Sequence, residues 1–485
     1  MVFVRPLLDI LYTLTSLIYC TTLLAIRRVF FGVLSLVNRA IPKFVAGVLR
    51  KWPYLSVVVT EVSCIFLTTT SAEELFAVAR FGWVARFALL AILAQAFRIS
   101  AFALFSNHPM SFAALREKNR VNWPERLFVP ILSNRLDAVF FRMVIDISVA
   151  TVPFFVALWL PFAKLSLTGA LFYIAIGAAG EMLETLEHTN IHNRVFRCAK
   201  GAHGVKPLIA RSFEWWATYV AVTTCGRIPN WYRVQHIGVH HAEDNGPEDV
   251  QTTSSGDRSS YVYFCRSAFL WVVDVLIPIP MFIYLARRGG WRRITSLTIA
   301  MVTYYAMLVL VSLLAGSFWP ALALIVIVST AGPGSVSAYY FWHAFVDPDE
   351  PGNIYRNSVD VDAMLEHGFY GAVLHLEHHL HPARHWSTYR EASRLNKDKY
   401  TSEGAIVLKS RPGVPAFFYV KLLIQRRFDL LAEVVHTVGG ETEASSIANE
   451  LERRSRPKVL KRSRVSNQID RALGQVIAAT LRNYS

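Results

Sequence analysis

Three clusters of histidines at short, regular spacing are the residues of this sequence best suited to chemistry. They are His188-x-x-x-His192, His236-x-x-x-His240-His241 and His375-x-x-His378-His379. All but two of the 15 histidines in the chain lie between residues 188 and 385. Neutral imidazole is the commonest metal ligand, and helix residues three or four apart project from one face. The clusters therefore predict a metal centre, and eight imidazoles predict more than one ion.

Helical spacing also predicts how the second cluster is arranged. On an α-helix, His236 and His240 are one turn apart and project together, as His188 and His192 do. His241 would be offset from His240 by about 100°. Adjacent histidines could therefore serve two neighbouring ions.

A ligand set made almost entirely of imidazole restricts the metal. Nitrogen ligands suit iron, copper, zinc or nickel, whereas magnesium and calcium prefer oxygen. Zinc is usually satisfied by four ligands at one site. His343, just after the last apolar run, is a ninth candidate ligand. Eight or nine histidines therefore favour two ions, and iron is the metal that would make such a site useful for oxygen chemistry.

Acidic residues lie beside each cluster. Histidine ligands usually donate their second N–H to a carboxylate, a backbone carbonyl or water, which fixes the orientation of the ring. We expect such a supporting role for Glu184, Glu187, Glu243, Asp244 and Glu377. The alternative is that these residues are solvated charges at a membrane surface. The remaining histidines stay outside the predicted ligand set: His108, His203, His367, His381, His385 and His436.

The composition indicates a membrane protein. Hydrophobic residues make up 53% of the 485 residues and charged residues only 18%, yet the formal net charge is +15. Soluble domains rarely combine these properties, whereas multi-span membrane proteins often do. Lysine and arginine beside membrane spans explain the positive charge, and no nucleic-acid-binding module is recognisable, so no nucleic-acid partner is expected. The five cysteines are scattered, and we expect no disulfide framework.

Apolar runs of spanning length predict helices near 53–70, 83–105, 140–164, 168–187, 267–286, 294–314 and 318–341. A further apolar run, residues 7–26, lacks a clear small-residue cleavage site, which predicts a retained anchor. We expect N-terminal membrane helices of unknown role over 1–110, a core with the metal centre over 111–400, and a basic cytoplasmic tail over 401–485. Apolar residues from Ile447 onward predict either an amphipathic helix in that tail or a partner-docking arm, with a solvated tail as the alternative.

The clusters must lie on one side of the membrane if they are to meet. The basic residues of 114–136 predict that this side is cytoplasmic. Three apolar runs separate the second cluster from the third, and an odd number of crossings would place them apart. The run 267–286 contains Asp274, Pro278 and Pro280 and precedes an arginine-rich loop, 287–293. We therefore expect 267–286 to be interfacial or re-entrant, and 294–314 and 318–341 to form a hairpin.

At this point the sequence resembles the membrane-bound fatty acid desaturase and hydroxylase superfamily. The resemblance depends on the three clusters, their order and their placement after membrane hairpins. It also depends on H-H-A-E-D-N-G-P-E-D-V over 240–250, W-H-A-F-V-D-P over 342–348 and H-H-x-x-P-x-x-H-W over 378–386. The resemblance covers residues 136 to 390. Such spacing is specific for the superfamily and says little about the substrate.

The resemblance implies an all-α integral membrane protein, in which a multi-span helical bundle is covered by a cytoplasmic helical cap with a histidine-ligated di-iron site. It implies oxygen-dependent desaturation of a fatty acyl chain, acyl-lipid or acyl-CoA, with no catalytic residues beyond the metal ligands. Electrons would come from cytochrome b5 or a ferredoxin, in the endoplasmic reticulum or the bacterial inner membrane. The implied ligands are His188, His192, His236, His240, His241, His343, His375, His378 and His379.

Two features depart from the pattern. The second cluster has three residues before its histidine pair, where many desaturases have two, and Tyr339 stands where some desaturases carry an asparagine that holds a water. A hydroxylase with the same iron pair is therefore an alternative. A histidine-rich metal transporter or metal-binding scaffold is a further alternative, although transporters place their ligands within the spans.

Overall fold

The computed structural model describes residues 10–23, 41–52, 125–157, 180–350, 352–361, 372–408, 416–438 and 443–457, with a few single positions between them. Most of these residues are helical and few lie in strands, which confirms the predicted all-α fold class. The predicted helices at 53–70 and 83–105, most of the one at 168–187, and His108 and His367 lie outside the described residues.

The first half of the described chain contains six helices: α1 (Ile10–Leu23), α2 (Lys43–Lys51), α3 (Ala138–Ala157), α4 (Gly180–Asn193), α5 (Val205–Trp215) and α6 (Trp231–Gln235). Wider π-helical turns follow two of them, at Trp216–Ala221 after α5 and at His236–His240 after α6. Short helical pieces complete both, Val222–Thr224 and His241–Glu243.

The second half contains ten helices: α7 (Tyr261–Leu276), α8 (Ile279–Arg287), α9 (Trp291–Ala315), α10 (Trp319–Trp342), α11 (His375–Leu380), α12 (Tyr389–Leu395), α13 (Lys397–Ser402), α14 (Ala416–Ile424), α15 (Phe428–Ala432) and α16 (Ala444–Ser455). Three strands lie among them: β1 (Val359–Val361), β2 (Ile406–Leu408) and β3 (Val435–Val438).

Among the residues that the structure describes, two helices are long and apolar enough to cross a membrane. They are α3, extended back to Arg135 by one tight turn, and α9. Helix α1 is apolar but shorter. The pair α7 and α8 passes the same test only when taken together, and it bends by 75° at the break between its two helices. Pro278 occupies that break and cannot donate a backbone hydrogen bond. The predicted interruption of the run 267–286 is therefore confirmed.

The arginine-rich loop after α8 lies beside the second histidine cluster. The Arg288 guanidinium is 2.8 Å from the Glu243 carboxylate. Helices α9 and α10 then form a hairpin, with the α9 end closed by Gly316 in the left-handed conformation, and α10 ends next to His343. The chain thus leaves the second cluster and returns to it, as the parity argument predicts. That this side faces the cytoplasm stays a prediction.

Hydrogen bonds between apolar helices fix the first part of the bundle. The indole of Trp216 donates to the Ser148 hydroxyl over 2.7 Å, and Thr151 shares a 2.9 Å hydrogen bond with Thr224. Because lipid offers no competing partners, polar groups in spans must be satisfied within the protein. These contacts hold α3 against the π-helical turn that follows α5.

A small sheet that was not predicted from the sequence supports the third cluster. Strand β1 pairs with β2 in parallel, and β2 pairs with β3 antiparallel. Asp360 of β1 accepts a 2.8 Å hydrogen bond from the Leu376 backbone N–H, in the first turn of α11. The sheet therefore anchors the start of the helix that presents the third cluster.

Residues beyond 400 pack against the core. Tyr419 of α14 stacks on Phe341 of α10 with ring centroids 5.0 Å apart. In α16, Ile447 and Leu451 are buried, which confirms the start of the amphipathic helix predicted for the tail, and the rest of that prediction lies outside the described residues. The domain boundaries predicted at 110 and 400 stay predictions.

Candidate metal centre

The π-helical turn at His236–His240 decides how the second cluster is used. In a π-helix, backbone hydrogen bonds join residues five apart, so residues i and i+5 lie closer together around the axis than in an α-helix. Accordingly, the Nε2 atoms of His236 and His241 are 3.1 Å apart, while His240 turns toward His379, with 3.2 Å between their Nε2 atoms. The rings of His236 and His240 lie side by side as predicted, with centroids 5.3 Å apart, but their ring nitrogens join different groups of histidines. The adjacent residues His240 and His241 belong to different groups, as predicted.

A first group of histidines collects around the end of α4. One ring nitrogen from each of four residues lies within 4.8 Å of the others: His188, His192, His236 and His378. The Nε2 atom of His241 adds to this group, at 3.1 Å from that of His236 and 3.0 Å from that of His378. We call these five residues site A.

A second group forms directly beside it. Again four ring nitrogens lie within 4.8 Å of one another: His240, His343, His375 and His379. The Nε2 atoms of His343 and His375 are 3.0 Å apart, and those of His375 and His379 are 3.2 Å apart. We call these four residues site B. The two sites together contain all nine histidines predicted as ligands, from α4, the π-helical turn, the end of α10 and α11.

Every ring in site B has an oxygen partner on the far side from the group. The Nδ1 atoms of His240 and His379 are each 2.7 Å from a carboxylate, of Asp249 and Asp244 respectively. The Nδ1 atom of His343 lies 2.8 Å from the Asn357 carbonyl, and that of His375 lies 3.1 Å from the Ala372 carbonyl. Because these oxygens accept hydrogen bonds, each Nδ1 carries the proton.

The opposite nitrogens of site B must then be unprotonated. A neutral imidazole has one donor nitrogen and one acceptor nitrogen. Four Nε2 lone pairs thus converge within a few ångströms with no proton between them. Such an arrangement is repulsive unless a cation lies at its centre. The donor set therefore fits a metal ion, and imidazole nitrogen suits iron among others.

The imidazole rings of site A also have the properties expected of metal ligands. The Nε2 atom of His192 is buried and has no hydrogen-bond partner. Burial lowers the pKa of His192 to about 3, and burial together with the neighbouring imidazoles holds the pKa of His188 and His236 well below the usual range. The rings are therefore neutral at physiological pH, as metal ligands must be. The Nδ1 atom of His378 is 3.2 Å from the Tyr389 hydroxyl.

Five acidic residues were predicted to support the clustered histidines. Among the described contacts, Asp244 is the one of the five that touches such a histidine. The carboxylates of Glu184 and Glu187 each lie 3.2 Å from the buried guanidinium of Arg227. The Glu243 carboxylate accepts a 2.5 Å hydrogen bond from the Tyr284 hydroxyl and pairs with Arg288. Glu377, one residue before His378, is fully buried on the opposite face of α11, where it pairs with Arg384 and accepts a hydrogen bond from Tyr400.

Asp249 is the supporting residue that sequence reasoning missed. Asp249 lies in the segment 240–250, which is one of the segments that carry the family resemblance. Nothing in the spacing separated it from Glu243, Asp244 and Glu248, because a loop has no fixed periodicity. A buried carboxylate needs a partner, and in the structure Asp249 and His240 are both buried and meet each other.

The histidines left outside the ligand set lie elsewhere. His203 and His381 are exposed. The His385 ring is 3.2 Å from the Asp137 carboxylate. Tyr339 stands where some desaturases carry an asparagine that holds a water. Its hydroxyl donates a hydrogen bond to the Gln251 carbonyl over 2.7 Å, and its ring lies against the ring of His240.

The comparison with protein-family models gives a match over residues 200–409 to the family described as fatty acid desaturase. Neither the curated proteins nor the solved structures contain a match to the chain. The matched segment holds the second and third clusters and His343, and the first cluster precedes it. This match, the histidine clusters and the apolar helices together support the resemblance to the membrane-bound fatty acid desaturase and hydroxylase superfamily.

Proposed function

We propose that the protein is a membrane-bound di-iron oxidoreductase that desaturates a fatty acyl chain, as an acyl-lipid or an acyl-CoA. The observation that carries the proposal is the pair of adjacent imidazole groups, in each of which ring nitrogens of four histidines lie within 4.8 Å of one another. The family match supports the substrate class and the type of chemistry. Overall, one acyl chain, dioxygen, two electrons and two protons would give one double bond and two waters.

The nine histidines of sites A and B would hold the two irons. Iron, when bound there, supplies the dioxygen chemistry that removes hydrogens from an unactivated methylene. The protein supplies neutral ligands in fixed orientation, since each ring of site B is held by an oxygen at its Nδ1. A hydrogen bond from Nδ1 to a carboxylate raises the basicity of Nε2. His240 and His379 should therefore be the strongest donors of site B.

The surroundings of the metal centre would admit the acyl chain and keep out bulk water. His240, His343 and His378 are at most 1% exposed, so the reacting groups are shielded from bulk water. His343 directly follows the apolar helix α10, and His188 lies in α4. An acyl chain that enters from the bilayer can thus reach the ligands without crossing an aqueous region. The two electrons would come from an external carrier such as cytochrome b5 or a ferredoxin.

The membrane side and compartment are part of the proposal. Basic residues before α3 and in the loop 287–293 support a cytoplasmic position for the metal centre. The endoplasmic reticulum and the bacterial inner membrane both fit this orientation. The substrate's chain length, its head group and the position of the double bond are left open.

A hydroxylase is the second candidate, because Tyr339 replaces the polar residue that some desaturases use beside the centre. Expression of the chain in yeast, followed by gas chromatography and mass spectrometry of total fatty acids, distinguishes the two. New double bonds support desaturation, and hydroxy acids support hydroxylation. A variant with His240→Ala is the control, since it should give neither product.

A metal transporter or metal-binding scaffold remains the candidate from a different class. Transporters place their ligands near the middle of broken spans. Here His343 follows the last residue of α10, and the third cluster lies in the short helix α11 rather than within a long apolar helix, which disfavours transport. Purified protein that contains only zinc and consumes no oxygen would support this alternative.

A further inference from the structure

A buried arginine links three separate segments next to site B. Arg258 is 1% exposed, and its guanidinium donates only to backbone carbonyls. It donates from Nε to Ala344 over 2.7 Å, from Nη1 to Thr253 over 3.3 Å and from Nη2 to Val346 over 3.2 Å. From Nη2 it also donates to Arg454 and, over 3.2 Å, to Arg456. A guanidinium has five donors in a rigid plane, so it can fix several carbonyls at once.

The segments that Arg258 joins enclose the ligand His343. Ala344 and Val346 follow His343 in the chain. On the other side, the Thr253 hydroxyl donates a 2.8 Å hydrogen bond to the His343 carbonyl. The backbone N–H of Arg258 donates to the Ser455 carbonyl over 2.9 Å, at the end of α16. The C-terminal end of α16 is thus attached to the backbone on both sides of a site B ligand.

A second set of contacts joins α16 to the loop after His343. Arg453 places its two terminal nitrogens 2.9 and 3.0 Å from the carboxylate oxygens of Asp347, which is 1% exposed. Asp347 also pairs with Arg356 over 2.9 Å. The next residue, Asn357, supplies the carbonyl that accepts from His343 Nδ1. Helix α16 is thus connected to Asn357, which hydrogen-bonds to the His343 ring, as well as to the backbone around His343.

We propose that residues 443–457, which we call the C-terminal clamp, position His343 and thereby maintain the metal affinity of site B. The clamp lies outside the segment that matches the family, 200–409. The inference rests on the proposed function, because it requires that site B holds iron. Arg258 and Arg453 are positioning residues that act through the backbone and partner of His343. Site A has no contact with the clamp among the described residues.

The test measures iron in the purified, full-length protein before and after competition with a fixed concentration of chelator. Arg453→Met removes the ion pair with Asp347 and keeps the aliphatic side chain. Arg456→Met is the matched control, because its guanidinium pairs with Glu452 at the exposed end of the same helix. We expect about tenfold weaker retention of one of two irons in the first variant. The control should retain both irons like the unmodified chain.

A second variant and a double variant separate positioning from general destabilisation. Arg258→Lys keeps the charge and loses the planar fork, so it should weaken the same iron. If the clamp acts through His343, combining Arg453→Met with His343→Ala should lose no more iron than His343→Ala alone. Two tightly held irons in both single variants, or further loss in the double variant, would overturn the clamp. Absence of iron from the unmodified chain would instead overturn the proposed function, and the clamp with it.

Discussion

His236 and His241 are five residues apart and bring their Nε2 atoms within 3.1 Å of each other. An α-helix would place them about 140° apart around its axis. The π-helical turn between them reduces this offset, and His240 joins His343, His375 and His379. One local change in helical pitch therefore divides the three histidines of the second cluster between the two groups.

Removal of a single ligand should abolish turnover. We expect His240→Ala and His378→Ala each to lower product formation by at least about 100-fold, since even residues that only orient a ligand contribute 10- to 100-fold to metal affinity. Membrane insertion should be unchanged. Product analysis and membrane fractionation check the two statements. The matched control is His203→Ala, at an exposed position, and activity in either ligand variant would contradict the assignment.

The carboxylates behind site B should tune its metal affinity. Asp249→Asn keeps the shape of the side chain but removes the negative charge that faces His240 Nδ1. We expect iron affinity to fall 10- to 100-fold, as measured by chelator competition. Glu248→Gln is the control, because Glu248 is exposed and, among the described residues, pairs with Arg288 and contacts no histidine. Equal iron retention in the two variants would show that Asp249 does not support the ligand.

Arg227 should be essential for folding rather than for chemistry. Its guanidinium is 2% exposed and balances Glu184 and Glu187, and burial raises the pKa of Glu187 to about 7. Arg227→Met would leave two poorly solvated carboxylates without a partner, at a cost of about 3–5 kcal/mol in the free energy of unfolding. Thermal unfolding in detergent measures the loss. Adding Glu184→Gln and Glu187→Gln to that variant should recover part of it, and no recovery would refute the explanation.

The metal-free protein should lose stability on acidification. Burial lowers the pKa of His192 to about 3, whereas an unfolded histidine has a pKa near 6.5. Between these values the unfolded chain binds a proton that the folded chain does not, so the free energy of unfolding falls as pH falls. The contribution is about 1.4 kcal/mol per pH unit for such a group. Unfolding temperatures of metal-free protein at pH 7.5 and 5.5 test this, and equal values would contradict it.

The sequence was sufficient to predict the apolar spans at α3 and α9, the hairpin of α9 and α10 and the convergence of the nine clustered histidines, because apolar runs and ligand spacing are local features. It could not predict the partners of Glu184 or Glu377, because those depend on Arg227 and Arg384 from other segments. The π-helical turn was missed because α-helical spacing was assumed for the second cluster. The three-stranded sheet was missed because its strands are three or four residues long and come from distant parts of the chain.

The central claim is that imidazoles from four parts of the chain surround two irons. X-ray absorption at the iron edge of the purified protein, normalised to protein concentration, tests it most directly. We predict two irons per chain, each surrounded mainly by imidazole nitrogen and without sulfur. A protein with no iron, or one whose iron is bound mainly by sulfur, would contradict the account.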